Sequence, residues 1–303
     1  MRLVPDDLNI NFISHKWISL SASSAVILLG VIAYFLMGGF NYGVDFRGGS
    51  VVQIQFTKTH DLAEIRQVLA GGNLGTFDLQ NFGDPAENEF LIALPEIEET
   101  VKEETPANRV RNLLTAAYPD VNIRRVESVG PRVGDELKTA AFEAILFSVF
   151  AILIYVWLRF QWRFSVGTVL ALVHDILIVL AAFVVTQKEI TLAVVAAVLT
   201  VAGYSVNDTI VIFDRVRENQ RKFQKKNSLE IFNSSLNETL SRTILTAGTT
   251  LVVLVAIFFL GGDIIHDFAF ALLLGITVGT YSSIYIAAPL SYLLQQRFPP
   301  RSK

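Results

Sequence analysis

The chain has 303 residues, of which 52% are hydrophobic and 17% charged, and its formal net charge is −3. A soluble domain has about a quarter of its residues charged, so this composition excludes an ordinary soluble protein and predicts a largely membrane-embedded chain. The lack of cysteine excludes disulfides, thiolate catalysis and cysteine metal sites, and the four histidines are too scattered to indicate a metal centre.

Six segments are long and apolar enough to cross a hydrocarbon core of about 30 Å. We predict these spans at 17–37, 139–158, 165–186, 192–213, 243–260 and 268–292. The first segment is longer than the core of a signal peptide, and no small-x-small cleavage site follows it. We therefore interpret it as an uncleaved membrane span.

The sequence predicts a cytoplasmic arm, a first span, a head domain, a five-helix bundle and a cytoplasmic tail. Their bounds are 1–16, 17–37, 38–138, 139–294 and 295–303. Basic residues cluster in the arm, after the second span, after the fourth span and in the tail. The positive-inside rule therefore predicts cytoplasmic termini and an extracytoplasmic head.

The head segment alternates between strand and helix patterns. Strand-like alternation covers residues 52–56, 77–79, 90–94 and 121–123, and helical spacing covers 62–69 and 106–114. The order β-α-β-β-α-β predicts a small ferredoxin-like α+β domain. The acidic stretch 96–104 is interpreted as a solvated linker between the third strand and the second helix.

A glycine-rich segment, residues 41–49, follows the first span. Its glycines are compatible with a phosphate-binding loop, but no Lys-Ser/Thr pair follows and no helix is expected to open there. We therefore predict a backbone turn that docks the head on the membrane.

Two ionisable residues of opposite charge lie on consecutive spans. Asp208 lies inside the fourth span and Arg242 at the start of the fifth. A charge at the centre of a spanning helix costs about 2.5–3.5 kcal/mol on insertion scales. Desolvation raises the proton affinity of a carboxyl group and a nearby cation lowers it, so movement of the arginine would load and release a proton. The pair is predicted to be a proton relay, with a structural salt bridge as the alternative.

Other polar residues share the faces of these two charges. Tyr204 and Asn207 accompany the acid on the fourth span, and Thr246 accompanies the arginine on the fifth. Because lipid offers such groups no partner, we expect the two polar faces to contact each other. Small residues at Gly203 and Ser205 are expected to let a neighbouring helix approach closely.

His174 and Asp175 lie midway along the third span. Adjacent residues on a helix point about 100° apart, so the two cannot both face one partner. A role in the relay and a buried hydrogen-bonded pair that fixes helix packing both stay open.

The segment 214–241 shows a helix cap at Asn227 and Glu230, followed by an apolar stripe. The stripe consists of Leu229, Phe232, Leu236 and Leu240. We predict a short amphipathic helix lying on the inner face of the membrane.

Six stretches together resemble the SecF family of bacterial protein-export subunits, which belongs to the resistance-nodulation-division superfamily. They are FNYGVDFRGGS at 40–50, VESVGPRVGDEL at 126–137, LALVHDI at 170–176, VAGYSVNDTIVIFDRVREN at 201–219, EIFNSSLNETLSRTILTAGTT at 230–250 and GTYSSIYIAAPL at 279–290. The resemblance extends over residues 17–294, which is most of the chain.

This resemblance implies a non-enzymatic subunit that works with SecD in the bacterial plasma (inner) membrane. Such pairs attach to the SecYEG channel, often with YajC and YidC, and use the proton-motive force to pull translocating polypeptide out of the channel. The family's conducting aspartate and arginine fall on Asp208 and Arg242, and SecD contributes a further aspartate. We expect contacts with protons and the lipid bilayer, and no cofactor, metal ion or nucleic acid.

Two other functions are compatible with the same sequence. One is half of a proton-coupled small-molecule efflux transporter of the same superfamily, although a single head of about 100 residues is small for a substrate tunnel. The other is a passive scaffold that steadies the channel. ATP hydrolysis is not indicated, because no Gly-rich Lys-Ser/Thr loop occurs in the sequence.

Overall fold

The computed structural model describes residues 9–72, 74–83, 85–95 and 105–299. The chain divides into two compact units, a head unit (Tyr42–Phe142) and a helical unit (Met1–Asn41 with Glu143–Lys303). The predicted acidic linker 96–104 lies outside the described residues, as do the outer ends of the predicted arm and tail.

Ten α-helices and four strands make up the part of the chain that the structure describes, together with one π-helical turn and two 3-10 turns. In chain order they are α1 (Lys16–Leu36), α2 (Val44–Arg47), β1 (Gly49–Phe56), α3 (Leu62–Ala70), β2 (Asp78–Phe82), β3 (Glu89–Leu94), α4 (Pro106–Ala117), β4 (Val121–Val129), α5 (Pro131–Arg159), α6 (Trp162–Thr186), α7 (Leu192–Lys222), α8 (Ser228–Leu260), α9 (Asp263–Ser282), the π turn (Ser283–Ala287) and α10 (Ala288–Arg297), with the 3-10 turns at Ile13–His15 and Pro85–Glu87.

The head unit has the predicted ferredoxin-like α+β arrangement. Its sheet has the order β2-β3-β1-β4 with every neighbouring pair antiparallel. Val52 of β1 lies opposite Ile92 of β3 on one side and Val126 of β4 on the other. Alternate strand residues point to one face of a sheet, so Val52 and Ile92 are buried in a common core with Ile65 and Leu114 of the two helices.

The predicted helix starts of the head are confirmed. The Asp61 carboxylate accepts a hydrogen bond of 3.1 Å from the Ala63 amide and caps α3. Pro106 occupies the first turn of α4, where its missing N–H costs nothing, and the Thr105 hydroxyl caps that helix by accepting from the Asn108 amide.

The glycine-rich segment contains a short helix, so the expectation that no helix opens there was wrong. Val44–Arg47 form one helical turn, which ends at two glycines with positive φ. Gly48 and Gly49 have φ of 74° and 105°, a conformation that other residues rarely adopt. These glycines let the chain reverse from the helical turn directly into the first strand.

Six helical segments are long and apolar enough to span a membrane, as predicted. They are Ile13–Leu36, Arg132–Arg159, Trp162–Thr186, Leu192–Lys222, Ser228–Leu260 and Ile265–Arg297. In the third, fourth and sixth spans, 50% or more of the residues in the apolar stretch are buried inside the protein, whereas in the second span only 6% are. The third, fourth and sixth spans therefore form the centre of the bundle. The sixth span combines most of α9 with the π turn and α10.

The predicted separate amphipathic helix at 214–241 is not present. Helix α7 continues to Lys222, and α8 starts after the cap at Asn227 and runs unbroken to Leu260. No glycine or proline lies between residues 228 and 247 to interrupt that helix. The apolar stripe is buried by protein, since Phe232 packs against the rings of Phe164 and Tyr292.

Candidate functional site

Asp208 lies on the buried side of α7 with only 3% of its surface exposed. Its Oδ2 atom is buried and has no hydrogen-bond partner among the described residues. The charge of Arg242, on the neighbouring helix α8, acts on this carboxyl group. The structural salt bridge considered as an alternative is not formed within the part of the chain that the structure describes, because the two groups make no ion pair there.

This arrangement differs from that of an ordinary buried acid. Buried polar atoms in proteins are nearly always hydrogen-bonded, and an unsatisfied one is costly. A carboxyl oxygen left open inside a spanning helix, within the field of a guanidinium, is suited to bind a proton or a transient partner.

The polar faces of α7 and α8 meet at one point. The Tyr204 hydroxyl lies 3.3 Å from Oγ1 of Thr250. The carbonyl of Thr246 accepts hydrogen bonds from the hydroxyls of Thr249 and Thr250, so its own turn of helix is polar. Asn207 is exposed and does not take part in this contact.

Much of the remaining polar face is open. Thr200, Gly203, Asn207, Arg242 and Thr249 are all exposed on α7 and α8. A Cβ atom added at Gly203 would meet nothing within 4 Å, so the expected close helix approach at this glycine is not made by any of the described residues.

Ser205, by contrast, lies at a close contact between helices. A Cβ atom added at Gly279 of α9 would lie 3.0 Å from Cβ of Ser205. One turn away, a Cβ at Gly275 would collide with the side chain of Val201. The two glycines, four residues apart, therefore let α9 lie directly against α7.

A second set of contacts joins the C-terminal part of α7 to the N-terminal part of α8. Arg215 pairs with Glu238, and the Asn219 amide donates to Glu238 at 2.9 Å and to Ser235 at 3.0 Å. Sequence reasoning missed these residues, although their spacing of three and four along each helix places them on common faces. They hold the stretch of α8 that leads into Arg242.

His174 and Asp175 belong to a buried polar cluster in the bundle. Asp175 is completely buried, and its Oδ1 lies 2.9 Å from Nδ1 of His174. Its Oδ2 accepts hydrogen bonds from the hydroxyls of Ser205 at 2.6 Å and Ser282 at 2.8 Å. The two adjacent residues thus contact each other, and the acid is shared by α6, α7 and α9.

Hydroxyl pairs extend this cluster along α7. Thr209 Oγ1 lies 2.8 Å from Ser283 Oγ, and the Ser283 hydroxyl also lies 3.3 Å from the carbonyl of Ser205. The sequence analysis did not identify Thr209, Ser282 or Ser283. These residues could have been found because hydroxyl side chains in a membrane span have no partner in lipid, so they are expected to bond to other parts of the protein.

Metal binding is not indicated by this geometry. The described residues contain no group of three or more histidine, aspartate or glutamate side chains that could hold a metal ion. The hydroxyl donors around Asp175 and the single guanidinium near Asp208 form hydrogen-bonding and electrostatic sites.

Two family descriptions match the chain. Protein export membrane protein SecD/SecF, C-terminal, matches residues 109–297, and the SecD/SecF GG motif matches residues 35–59. The second match includes the two glycines with positive φ that precede β1.

Several similar proteins are named protein translocase subunit SecF. That of Thermodesulfovibrio yellowstonii is 44% identical over 290 residues, which cover 94% of this chain and 95% of the relative. That of Rickettsia bellii is 41% identical over 293 residues, covering 96% and 95%. That of Vibrio alginolyticus is 48% identical over 255 residues, covering 84% and 80%.

Two solved structures are similar along nearly the whole chain. The crystal structure of SecDF from Thermus thermophilus has a TM-score of 0.83 and 34% identity, and that of SecDF in a super-membrane-facing form has a TM-score of 0.67 and 35% identity. The matches cover 98% and 96% of this chain, but this chain spans only 40% and 39% of those longer chains. With whole-length relatives above 40% identity and a family match over residues 109–297, this chain belongs to the SecF family of protein translocase subunits, which are not enzymes.

Proposed function

We propose that this chain is the SecF half of a proton-driven export machine, in which Asp208 binds and releases the transported proton under the control of Arg242. The observation that carries the proposal is the open Oδ2 atom of Asp208, which is buried in a spanning helix without a hydrogen-bond partner among the described residues. Moving one charge across a potential of 100 mV supplies about 2.3 kcal/mol, which is enough to drive a change of helix packing.

The open polar face of α7 and α8 supports SecD as the partner. Exposed polar groups such as Asn207 and Arg242 are unfavourable against lipid, and Gly203 leaves space for a second helix. The SecDF chains similar to this one are more than twice as long, so their remaining length would supply the covering helices and the further aspartate.

Membership of the family supports a proposal for the larger assembly. We propose that the complex sits in the bacterial plasma membrane with both termini of this chain in the cytoplasm, and that it binds the SecYEG channel together with YajC and YidC. There it would pull translocating polypeptide outward, on the side where the head unit lies.

Replacement of the acid tests this function. In vesicles that contain this chain with SecD and the channel, Asp208→Asn should abolish the part of export that depends on the proton gradient. The ATP-driven part should stay, because this chain has no Gly-rich Lys-Ser/Thr loop that would bind the nucleotide. The matched control is Asp214→Asn, an exposed carboxylate six residues further along α7 that pairs with Arg159.

Two outcomes would contradict the proposal. Gradient-driven export at the wild-type rate in Asp208→Asn would exclude the proton role. Equal loss in both variants would indicate that the charge of the helix end matters and that Asp208 is not special. A complex that assembles normally and responds to the gradient without this acid would favour the passive scaffold.

The role of the arginine is tested separately. Arg242→Gln keeps a long polar side chain and removes the charge that acts on Asp208. Export should then lose its coupling to the gradient and its pH profile should change. An unchanged pH profile would remove Arg242 from the mechanism, and Arg221→Gln, an exposed arginine near the end of α7, is the control.

The proposed topology is tested by single cysteines, since the chain contains none. Thr76, exposed in the head unit, should react as cysteine with an impermeant maleimide added outside intact cells. Gln224, exposed between α7 and α8, should react as cysteine only after the membrane is opened. The reverse pattern would overturn the assigned orientation.

A further inference from the structure

We infer that Asp175 is a positioning residue: by accepting hydrogen bonds from α7 and α9, it fixes the register of α7 and so the place of Asp208. The inference rests on the proposed function in that Asp208 is taken as the proton-carrying group. It assigns the third span a packing role in place of a relay role.

Both oxygens of Asp175 are occupied. Oδ1 faces Nδ1 of His174 at 2.9 Å, and Oδ2 faces the hydroxyls of Ser205 at 2.6 Å and Ser282 at 2.8 Å. Each serine hydroxyl donates to Oδ2, so neither oxygen of this carboxyl group is left open. Asp175 has no exposed surface, and it accepts from hydroxyls on two other helices, so it joins three helices.

A second layer of hydroxyls lies one turn along α7. Thr209 Oγ1 is 2.8 Å from Ser283 Oγ, and both hydroxyls lie near the carbonyl of Ser205, at 3.2 and 3.3 Å. Ser282 and Ser283 mark the end of α9 and the start of the π turn. Widened π turns are common at functional positions, and this one presents two successive serines to the partners of the cluster.

The same contact is closely packed. Gly279 leaves room for Ser205, and Gly275 leaves room for Val201. A slide of α7 along α9 would bring a side chain of α7 against a neighbour with no space for it, so packing and hydrogen bonds favour one register.

The position of Asp208 follows from this register. It is three residues beyond Ser205 and directly precedes Thr209, so the two anchored hydroxyls bracket it on α7. Its own Oδ2 is open, whereas both oxygens of Asp175 are bound. The anchored acid therefore holds the helix, and the open acid is available for exchange.

The test uses the complex of this chain with SecD and compares Asp175→Asn and Ser282→Ala with Thr168→Val. The first variant replaces an acceptor oxygen by a donor, and the second removes one donor while keeping the acid. Thr168 is a matched control, because its buried hydroxyl lies on the same helix as Asp175 and bonds only to the carbonyl of Phe164 among the described residues.

Two readouts are needed. One is the rate at which a hydrophobic carbodiimide modifies Asp208, measured by peptide mass spectrometry, which reports the surroundings of this carboxyl without requiring transport. The other is gradient-driven export. We expect both anchor variants to change the modification rate several-fold and to lower export about tenfold, because small displacements of a reacting group have effects of this order.

The outcomes separate the two proposals. Wild-type modification of Asp208 in both anchor variants, with the complex assembled, would overturn the positioning role whatever happens to export. An equal change in the modification rate of Asp208 in Thr168→Val would also overturn it, because the loss of any buried hydroxyl would then have the same effect as loss of the anchor. A changed modification rate together with normal export by Asp208→Asn would keep the positioning role and reject the proton function.

Discussion

Among its described residues, the helical unit contains two buried carboxyl groups whose surroundings are opposite in kind. Asp175 contacts a histidine nitrogen and two hydroxyls, whereas Asp208 keeps one oxygen without a partner among the described residues and lies within the field of Arg242 on another helix. The first arrangement stabilises a packing of three helices. The second has an uncompensated desolvation cost, which native proteins accept mainly where a group must change state.

The contrast extends to the helix faces that carry these acids. The α7–α9 contact is closed, with glycines admitting Ser205 and Val201, while the α7–α8 face is polar and partly exposed. A closed contact holds a position, and an exposed polar face requires a partner. The bundle thus separates the residues that keep its shape from those that we propose to carry the proton.

The largest effect on stability is expected for Asp175→Asn. An amide keeps one acceptor oxygen and turns its N–H₂ group either towards the two hydroxyls or towards His174, so one of these contacts is lost at a cost of up to about 3 kcal/mol. The thermal midpoint of the detergent-purified protein should fall clearly. A midpoint equal to that of wild type would show that the hydroxyl cluster contributes nothing to packing.

A smaller loss is expected for Gly279→Leu. The added side chain has no space beside Ser205, and overpacking of this kind costs about 2 kcal/mol. Gly203→Leu is the matched comparison, because open space surrounds that glycine in this chain and its midpoint should stay unchanged. That second variant should instead weaken copurification with SecD, and normal copurification would argue against the proposed interface.

Tyr204→Phe should have a weaker effect still. The hydroxyl of Tyr204 makes one hydrogen bond of 3.3 Å to Thr250 in a half-buried place, worth less than about 1 kcal/mol. A small drop in the midpoint, below that of Gly279→Leu, is expected. A drop as large as that of Asp175→Asn would mean that the α7–α8 face also determines the packing.

Asp208→Asn should change stability least. Its Oδ2 has no hydrogen bond to lose among the described residues, and a neutral amide has a smaller desolvation cost than an unpaired buried carboxylate. The free energy of unfolding should therefore stay within about 0.5 kcal/mol of wild type, and the thermal midpoint should hardly change. A large destabilisation would assign this acid to the scaffold and remove the difference between the two carboxyl groups.

Some features followed from local patterns in the sequence. The spans were predicted because about 20 apolar residues in succession have few other solutions. The head fold was predicted because the alternation of strands and the helical spacing at 62–69 and 106–114 are patterns over a few residues. Asp208 was found as a site candidate because a charge in such a run is unusual in itself. The segment 214–241 was predicted wrongly because its stripe indicated an apolar face without saying whether lipid or protein covers it.

The sequence by itself therefore determined the membrane class, the number of spans, the α+β head and the presence of an acid and a base on consecutive spans. Only the tertiary structure decided which acid is satisfied and which is open. Ser205, Ser282 and Asp175 lie up to 107 positions apart along the chain, and their meeting depends on the register of α7 against α9. Such a register arises from the packing of whole helices around Gly275 and Gly279, which short-range periodicity does not encode.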